Sequence, residues 1–360
     1  MIGILVIGAG TMVEEYYCPT LRRLEKSGAV RVLGVVDPSE SRARRVAVRF
    51  ANARTYRDCD GAFGAGGYDL AIVVSPPGHH ADHAIVALEQ GCHVLCEKPM
   101  ATTTVDANRM NDAAARADRV LGVAFARRFL PNFADVAKLV AEGALGDDLR
   151  FTYRDGGTYS WPVATGAAFK REESRGGALL DKGVHILDQL SCIFGDPQVE
   201  RSFDDSLADG VETNSLLELV YPHARGMMHV SWEYPLNNGL RIWGSSGEVL
   251  IAGEDIRTYR QRGRDGWMLV PATTAWPADM VRNGGKRLRP SNPYESFELQ
   301  LIAMLRCVAY GEAFPVTGVQ AAKIQATIDT AYEIAEPLAC PWLPEAEQRA
   351  ARSKHWKAAR

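Results

Sequence analysis

Apolar runs alternate with amphipathic stretches through the first third of the chain. Ile2-Gly3-Ile4-Leu5-Val6-Ile7 is almost continuously apolar, the pattern of a parallel strand buried on both faces. Gly8-Ala9-Gly10 breaks the run, and a helix containing Leu21 and Leu24 follows. Val30 to Val36 predicts a second strand, ending in Asp37, and the Arg- and Ala-rich stretch from about Ser39 to Phe50 a helix. Asp69 to Val74 is the next strand, stopped by Ser75-Pro76-Pro77. His80 to Gln90 has helical apolar spacing at Ala84 and Leu88, and the short strand His93–Cys96 is closed by Glu97-Lys98-Pro99. A helix from about Thr104 to Arg116 and a strand from Val120 to Phe125 complete the series. Strand and helix in alternation predict an α/β, doubly wound sheet.

The texture changes after Phe125. Leu216 to Tyr221, Gly226 to Trp232, Leu240 to Trp243 and Glu248 to Ile251 alternate as antiparallel strands do. Arg262 to Pro293 is rich in Gly, Pro and Arg and reads as a long surface excursion, and Phe297 to Tyr310 and Val319 to Ala335 read as amphipathic helices. The expected division is a dinucleotide-binding domain over 1–125, a substrate-binding and oligomerisation domain over 126–340, and a tail over 341–360. Five basic residues and no acid between Arg349 and Arg360 suggest a solvated end.

Composition narrows the class without deciding it. The chain has 360 residues, 46% hydrophobic and 24% charged, which fits an ordinary soluble protein of two domains. A formal net charge of −3 gives no reason to expect nucleic acid or an acidic membrane as partner. Seven cysteines at irregular spacing read as a reduced set, with Cys92 and Cys96 as core thiols. No apolar run reaches membrane-spanning length, and the N-terminus lacks a signal-peptide pattern, so a cytoplasmic protein is expected.

The glycine loop carries the first chemistry. Gly8 permits a tight turn, Gly10 lets the backbone approach a pyrophosphate, and Thr11 and Met12 open a helix whose N-terminal N–H groups suit an anion. Val13 occupies the position where the usual pattern has a third small residue. Asp37 ends the second strand about 27 residues past Gly10. An acid there accepts hydrogen bonds from the adenosine ribose and repels a 2′-phosphate, favouring NAD over NADP; Arg42, nearby in sequence, weakens that preference. Glu14 and Glu15 suit a helix N-terminus but would repel a diphosphate if they faced it.

The second constellation lies in Gly176 to Asp188. Asp181, His185 and Asp188 are spaced i, i+4 and i+7, so a helix would set them on one stripe. An acid and an imidazole one turn apart can orient each other and pass a proton, and Lys98 offers an ammonium for the same task. Oxidising a secondary alcohol needs a base for the hydroxyl proton, and the reverse reduction needs an acid. Histidine titrates near neutrality, and lysine is moved there by burial. No metal is expected: His79, His80 and His83 lack a close carboxylate cluster, and nicotinamide chemistry does not require a metal at His185 and Asp188.

These residues resemble the glucose–fructose oxidoreductase / inositol dehydrogenase / rhizopine-catabolism (Gfo/Idh/MocA) oxidoreductases. The resemblance rests on Gly8-Ala9-Gly10, Ser75-Pro76-Pro77 with His80, Glu97-Lys98-Pro99, Gly122 to Phe129, Gly176 to Asp188 and Pro315-Val316-Thr317-Gly318. It implies a Rossmann domain followed by an α+β domain with a large, mostly antiparallel sheet, and a homodimer or homotetramer built on that sheet. It further implies that Lys98 touches the nicotinamide ribose and the substrate hydroxyl, that His185 gives or takes the proton, and that Asp181 binds substrate or tunes His185. Glu97 would support the cofactor side, with Ser75, Pro76 and His80 lining the NAD cleft and Lys98–Pro99 as a cis peptide. Ala126 stands where many relatives carry asparagine. Arg128, Tyr159, Trp161 and Lys170 fall near the expected substrate mouth.

Three functions fit this reading. The first is an NAD(P)-dependent dehydrogenase acting on a polyhydroxy small molecule: a sugar, sugar derivative or cyclitol. The second is a redox-neutral elimination or hydrolysis with tightly held NAD. The third, a non-catalytic dinucleotide-binding regulator, is disfavoured because Lys98, Asp181 and His185 are all present.

Overall fold

The computed structural model describes residues 1–162, 166–253, 255–263, 266–269, 282–283, 286–287, 293–338 and 344–355. The chain divides into two compact units, Met1–Phe129 with Val281–Gln325 and Leu130–Met280 with Ala326–Arg360.

In the first unit six parallel strands run in the order β3-β2-β1-β4-β5-β6: β1 Ile2–Ile7, β2 Val30–Val36, β3 Arg54–Tyr56, β4 Leu70–Val73, β5 His93–Cys96 and β6 Leu121–Val123. Helices α1 Cys18–Lys26, α2 Glu40–Ala47, α3 Cys59–Ala65, α4 His80–Glu89 and α5 Thr104–Ala117 connect them. Ile4, Leu5, Val6, Ile72 and Leu95 have no exposed surface, which is why the central strands are apolar on both faces. The strand order reverses at β1, which pairs with β2 on one side and β4 on the other. Ligands of such sheets bind outside the carboxyl ends of the strands at that switch. Two elements, β3 and α3, have no apolar run to announce them. Arg54-Thr55-Tyr56 is an exposed edge, and α3 is marked chiefly by Asp58, whose carboxylate caps Gly61 N at 2.9 Å.

The units divide the chain differently from the expected cut at residue 125. The turn Ala126–Phe129 stays with the first unit, and so does the later stretch up to Gln325. Val123 N donates to Val316 O at 3.0 Å and Gly122 bridges Thr317, so the Pro-Val-Thr-Gly segment lies along β6. Gly122 allows this approach: a Cβ there would lie 2.6 Å from the Phe314 ring.

The second unit is a nine-stranded sheet comprising β7 Leu149–Gly156, β8 Gln198–Asp204, β9 Asn214–Tyr221, β10 Ala224–Ser231, β11 Gly239–Trp243, β12 Gly247–Ala252, β13 Asp255–Gly263, β14 Gly266–Leu269 and the two-residue strand Glu336–Pro337. The order is β14-β13-β12-β11-β7-β10-β9-β8 and then Glu336–Pro337. All pairings are antiparallel except β7 with β10 and β8 with Glu336–Pro337. One face is covered by helices α6 Pro131–Ala141 and α8 Val184–Phe194, with the short helix α7 Arg171–Ser174 between them in sequence. Phe133 stacks on Tyr153, Tyr153 OH donates to Gln189 Oε1 at 2.6 Å, and Phe151 stacks on Phe194. The other face carries the exposed Arg150, Arg154 and Arg225 with the half-buried Thr152, Met227 and Trp243.

Of the expected solvated tail, Arg349, Ala350, Ser353 and Lys354 are exposed, and His355 is the exception among its described residues. Glu345–Lys354 is helical, and His355 is buried with Nε2 2.8 Å from Asp204 Oδ1, a contact that anchors the end of the helix to β8. The expected excursion Arg262–Pro293 lies largely outside the described residues, as do 356–360. Among the described residues no helix is long and apolar enough to cross a membrane.

Candidate active site

At the end of β1 the backbone of Gly8 has φ +99°, and a Cβ would lie 2.5 Å from Val74 O and 2.8 Å from Ser75 N. This position therefore requires glycine. Gly10 differs: nothing lies within 4 Å of where its Cβ would stand. The helix beginning at Thr11 takes its first bonds from Val13 N and Glu14 N to Gly10 O, at 3.0 and 3.2 Å. The amides of a helix's first turn have no partner inside it, and the space where a Gly10 side chain would stand is open, an arrangement that suits an anion. Glu14 does not crowd it with unpaired charge, since its carboxylate is paired with Arg45 of α2 at 3.2 Å and with Arg49, just past the end of that helix, at 3.0 Å.

The helix expected after the glycines, with Leu21 and Leu24, is α1, and the chain enters it through a π-helical turn over Val13–Tyr17, with Cys18 N reaching back to Val13 O. Val13 is fully buried. The turn ends on Tyr17, whose hydroxyl donates to Glu97 Oε1 at 2.7 Å inside the core. Burial pushes both the Tyr17 phenol and the Glu97 carboxyl up from their ordinary values. Glu97 Oε2 accepts from Lys98 N at 3.1 Å. Tyr17 and Glu97 thus tie the glycine-loop helix to the backbone of Lys98, and Lys98–Pro99 is cis, as expected.

Asp37 is buried and heavily committed. Its Oδ2 accepts from Ala9 N at 3.0 Å, and its Oδ1 from Ser39 N at 2.8 Å and from Arg42 Nε at 3.0 Å. The carboxylate braces the glycine loop and holds the half-exposed Arg42 guanidinium at the end of β2. His80 is 1% exposed, with Nε2 2.7 Å from Ser75 O and Nδ1 2.8 Å from Pro99 O. Burial pushes its imidazole down to about 4, against the pull of the two carbonyls. It is a strut joining the ends of β4 and β5 through Ser75 and Pro99. Ser75 Oγ meets His83 Nδ1 at 2.9 Å, and Pro76 is exposed.

Arg128 Nη1 donates to Pro315 O and Gln320 Oε1, both at 3.2 Å, so this guanidinium staples the turn after β6 to the Pro315–Gly318 segment.

In the second unit Asp181 lies in another π-helical turn, Leu179–Gly183, where Val184 N reaches back to Leu179 O. His185 is in the first turn of α8, and Asp188 is buried one turn further on. The expected single α-helical stripe is therefore interrupted between Asp181 and His185 by the wider turn. Asp181 Oδ2 accepts from the Trp232 indole N–H at 3.2 Å. Tyr159 packs edge-on against Trp232 at 4.7 Å, and burial with the charge of Asp181 raises its phenol. Phe169 completes an aromatic cluster, 5.4 Å from Tyr159 and 6.2 Å from Trp232. Trp161 is 41% exposed. Lys170 pairs with Glu173 at 3.5 Å on the surface.

Three residues of this arrangement carry no sequence signal: Tyr17, Trp232, and Glu212, whose carboxylate receives Gly177 N and Leu179 N at 3.0 Å each. Each acts on a partner far along the chain. Among the described residues no group of three or more His, Cys, Asp or Glu could hold a metal ion.

Comparison with known proteins agrees with this layout. A family model described as an oxidoreductase family with an NAD-binding Rossmann fold matches residues 2–125, and one for the Gfo/Idh/MocA C-terminal domain matches residues 133–250. D-glucoside 3-dehydrogenase of Escherichia coli (strain K12) is 34% identical over 204 residues, 55% of this chain and 55% of that protein, so the match spans about half of that relative. A scyllo-inositol 2-dehydrogenase (NADP(+)) of Bacillus subtilis (strain 168) is 24% identical over 340 residues, 91% of this chain and 92% of that protein. The fold is that of the WlbA dehydrogenase from Bordetella pertussis, solved with NADH and UDP-GlcNAcA, with a TM-score of 0.75 at 21% identity over 92% of this chain and 94% of that one. With both of its domain models matched along the sequence, the chain belongs to the Gfo/Idh/MocA family of oxidoreductases.

Proposed function

We propose that the protein is a dehydrogenase that moves a hydride between a secondary alcohol of a sugar, sugar derivative or cyclitol and a nicotinamide dinucleotide. The observation that carries this reading is the cradle over Gly10, opened by the forced backbone of Gly8 and braced by Asp37. The names of the glucoside and inositol dehydrogenases among its relatives support the substrate class. Gly8, Gly10, Thr11, Met12, Asp37, Ser75 and Pro76 hold the dinucleotide, which when bound supplies the two-electron acceptor or donor. NAD is the favoured form, and Arg42 leaves room for NADP.

Lys98 binds the nicotinamide ribose and the substrate hydroxyl. His185 takes the hydroxyl proton during oxidation and returns it during reduction. Asp181, fixed by the Trp232 N–H, binds substrate or orients His185. Tyr159, packed on the Trp232 that donates to Asp181, is the better placed candidate for the substrate wall, with Trp161, Arg128 and Lys170 as further candidates. The arginine-rich face of the large sheet is the surface for a homodimer or homotetramer.

The test is an absorbance screen at the NADH band with NAD and NADP separately, over sugars, sugar acids, nucleotide sugars and inositols. Saturable turnover that falls by about a hundredfold or more in both Lys98→Ala and His185→Ala is expected. Turnover of substrate without net NADH would point to the redox-neutral reaction. Failure of both dinucleotides to bind at millimolar concentration overturns the reading.

A further inference from the structure

The Gly176-Gly177-Ala178-Leu179 stretch, which leads into Asp181 and His185, is held from below by one buried carboxylate. Glu212 has no exposed surface. Its Oε1 accepts from Gly177 N and Leu179 N at 3.0 Å each and from Tyr332 OH at 2.8 Å, while Oε2 faces the buried Arg171 guanidinium at 3.5 Å. Its backbone carbonyl takes Ala178 N at 3.0 Å, so one residue meets three consecutive peptide units of the turn. Both glycines are needed for the approach: a Cβ on Gly177 would collide with the Glu212 carbonyl, and one on Gly176 with the Tyr332 hydroxyl. Two leading N–H groups of a helical segment are thereby satisfied inside the protein, where water cannot serve them.

We propose that Glu212 is a positioning residue for the proton-transfer pair: its carboxylate fixes the glycine turn and with it the placement of Asp181 and His185. The inference rests on the roles given to those two residues under the proposed function.

The charged and titratable groups facing Glu212 are Arg171 from α7, Tyr332 from the helix Gly318–Glu333, and Asp204 from β8, which itself holds His355. Burial, with the charge of Asp204, pushes the Glu212 carboxyl up to about 7, while Arg171 and the Tyr332 hydroxyl oppose the rise. Protonation weakens the carboxylate as an acceptor, so the grip on the turn depends on pH near neutrality.

Amide hydrogen exchange over residues 176–185 of the whole protein, at pH 6 and pH 8 and corrected for intrinsic rates, reads the turn without any substrate. Glu212→Leu removes both acceptors and is expected to lose about tenfold or more of the protection at Gly177 and Leu179. Glu212→Gln keeps an acceptor oxygen and should recover most of that protection, without the loosening that the wild type shows between pH 8 and pH 6. In turnover, Glu212→Leu should lower kcat by about a hundredfold with the NAD dissociation constant unchanged, and Gln should restore most of it. If the Leu protein does not fold, Tyr332→Phe, which removes a donor from the same oxygen, should show a smaller shift in exchange and kcat of the same sign. Wild-type exchange of the turn in the Leu protein, or in the Phe protein if Leu does not fold, overturns the proposal. Wild-type turnover in His185→Ala overturns instead the assignment on which it rests.

Discussion

Gly8 and Gly10 are two residues apart, yet the structure assigns them opposite sensitivities. At Gly8 an alanine would have to hold φ at +99° and place its Cβ 2.5 Å from Val74 O and 2.6 Å from Val74 C. The backbone strain costs about 1–2 kcal/mol, and the displacement of β4 by overpacking about 1–3 kcal/mol more. A loss of about 3 kcal/mol is a large share of the ~5–15 kcal/mol that holds a typical domain. At Gly10 an alanine meets no protein atom within 4 Å, so stability should stay within about 0.5 kcal/mol of wild type. Its methyl group would occupy the cradle instead. If a pyrophosphate must shift by that volume, the overpacking cost of about 1–3 kcal/mol falls on binding and weakens NAD by roughly tenfold to a hundredfold. Thermal melts with and without NAD separate the two effects, because a ligand raises stability by RT ln(1 + [L]/Kd). Gly8→Ala should melt well below wild type without ligand. Gly10→Ala should melt with wild type alone and fail to follow it upward as NAD is added. Wild-type NAD affinity in Gly10→Ala would refute the assignment of this loop as the pyrophosphate cradle.

Two further outcomes are expected. Arg42→Ala takes the guanidinium, with its Nη2 at 2.8 Å, away from Asp37 Oδ1 and leaves Ser39 N as the remaining donor to that oxygen; it should shift the ratio of NAD to NADP affinity toward NAD by about tenfold, measured by titration with each dinucleotide, and a shift toward NADP contradicts it. His80, pushed down to about 4 by burial, stays neutral in the fold while the unfolded chain binds its proton below about 6.5. The unfolded state therefore holds more protons between pH 6.5 and 4, and this group's contribution of about 3 kcal/mol is complete above that window and lost on acidification through it. The Tm difference between wild type and His80→Gln should shrink as pH falls from 6.5 to 4, and a constant difference would show that the ring is not held neutral.

The sheet of the first unit is legible because burial on both faces leaves unbroken apolar runs, as at Ile4-Leu5-Val6 and Leu70-Ala71-Ile72-Val73. Edges are not, and β3 with its exposed Arg54 and Thr55 has no such run. The strand β7 alternates Leu149, Phe151 and Tyr153 inward, yet its partners β10 and β11 lie far along the chain and no hairpin turn signals the pairing. The candidate site is legible where its residues sit in short motifs, as with Gly8, Gly10, Lys98, Asp181 and His185. It is hidden where a side chain acts across the fold. Tyr17 reaches Glu97 across 80 residues, Trp232 reaches Asp181 across 51, and Glu212 reaches Gly177 across 35. Local spacing carries no trace of such contacts. Arg128 and Lys170 show the converse: charge near a site marks candidates, but Pro315, Gln320 and Glu173 were available to bind them instead.

The π-helical turn Leu179–Gly183 makes the length of this segment a fixed quantity. A π turn holds one residue more than the α-helix around it. Deleting a single residue there would let the backbone relax into an uninterrupted α-helix, a locally comfortable outcome. Each residue of an α-helix also advances the side chains by about 100°. A deletion between Asp181, inside the turn, and His185, after it, would therefore change the angle between those two side chains by up to about a quarter-turn while α8 keeps its packed face. Substitutions at most of these positions are a matter of degree, whereas a change of one in the residue count is a change of phase. Natural variation here should appear as exchanged side chains and not as gaps.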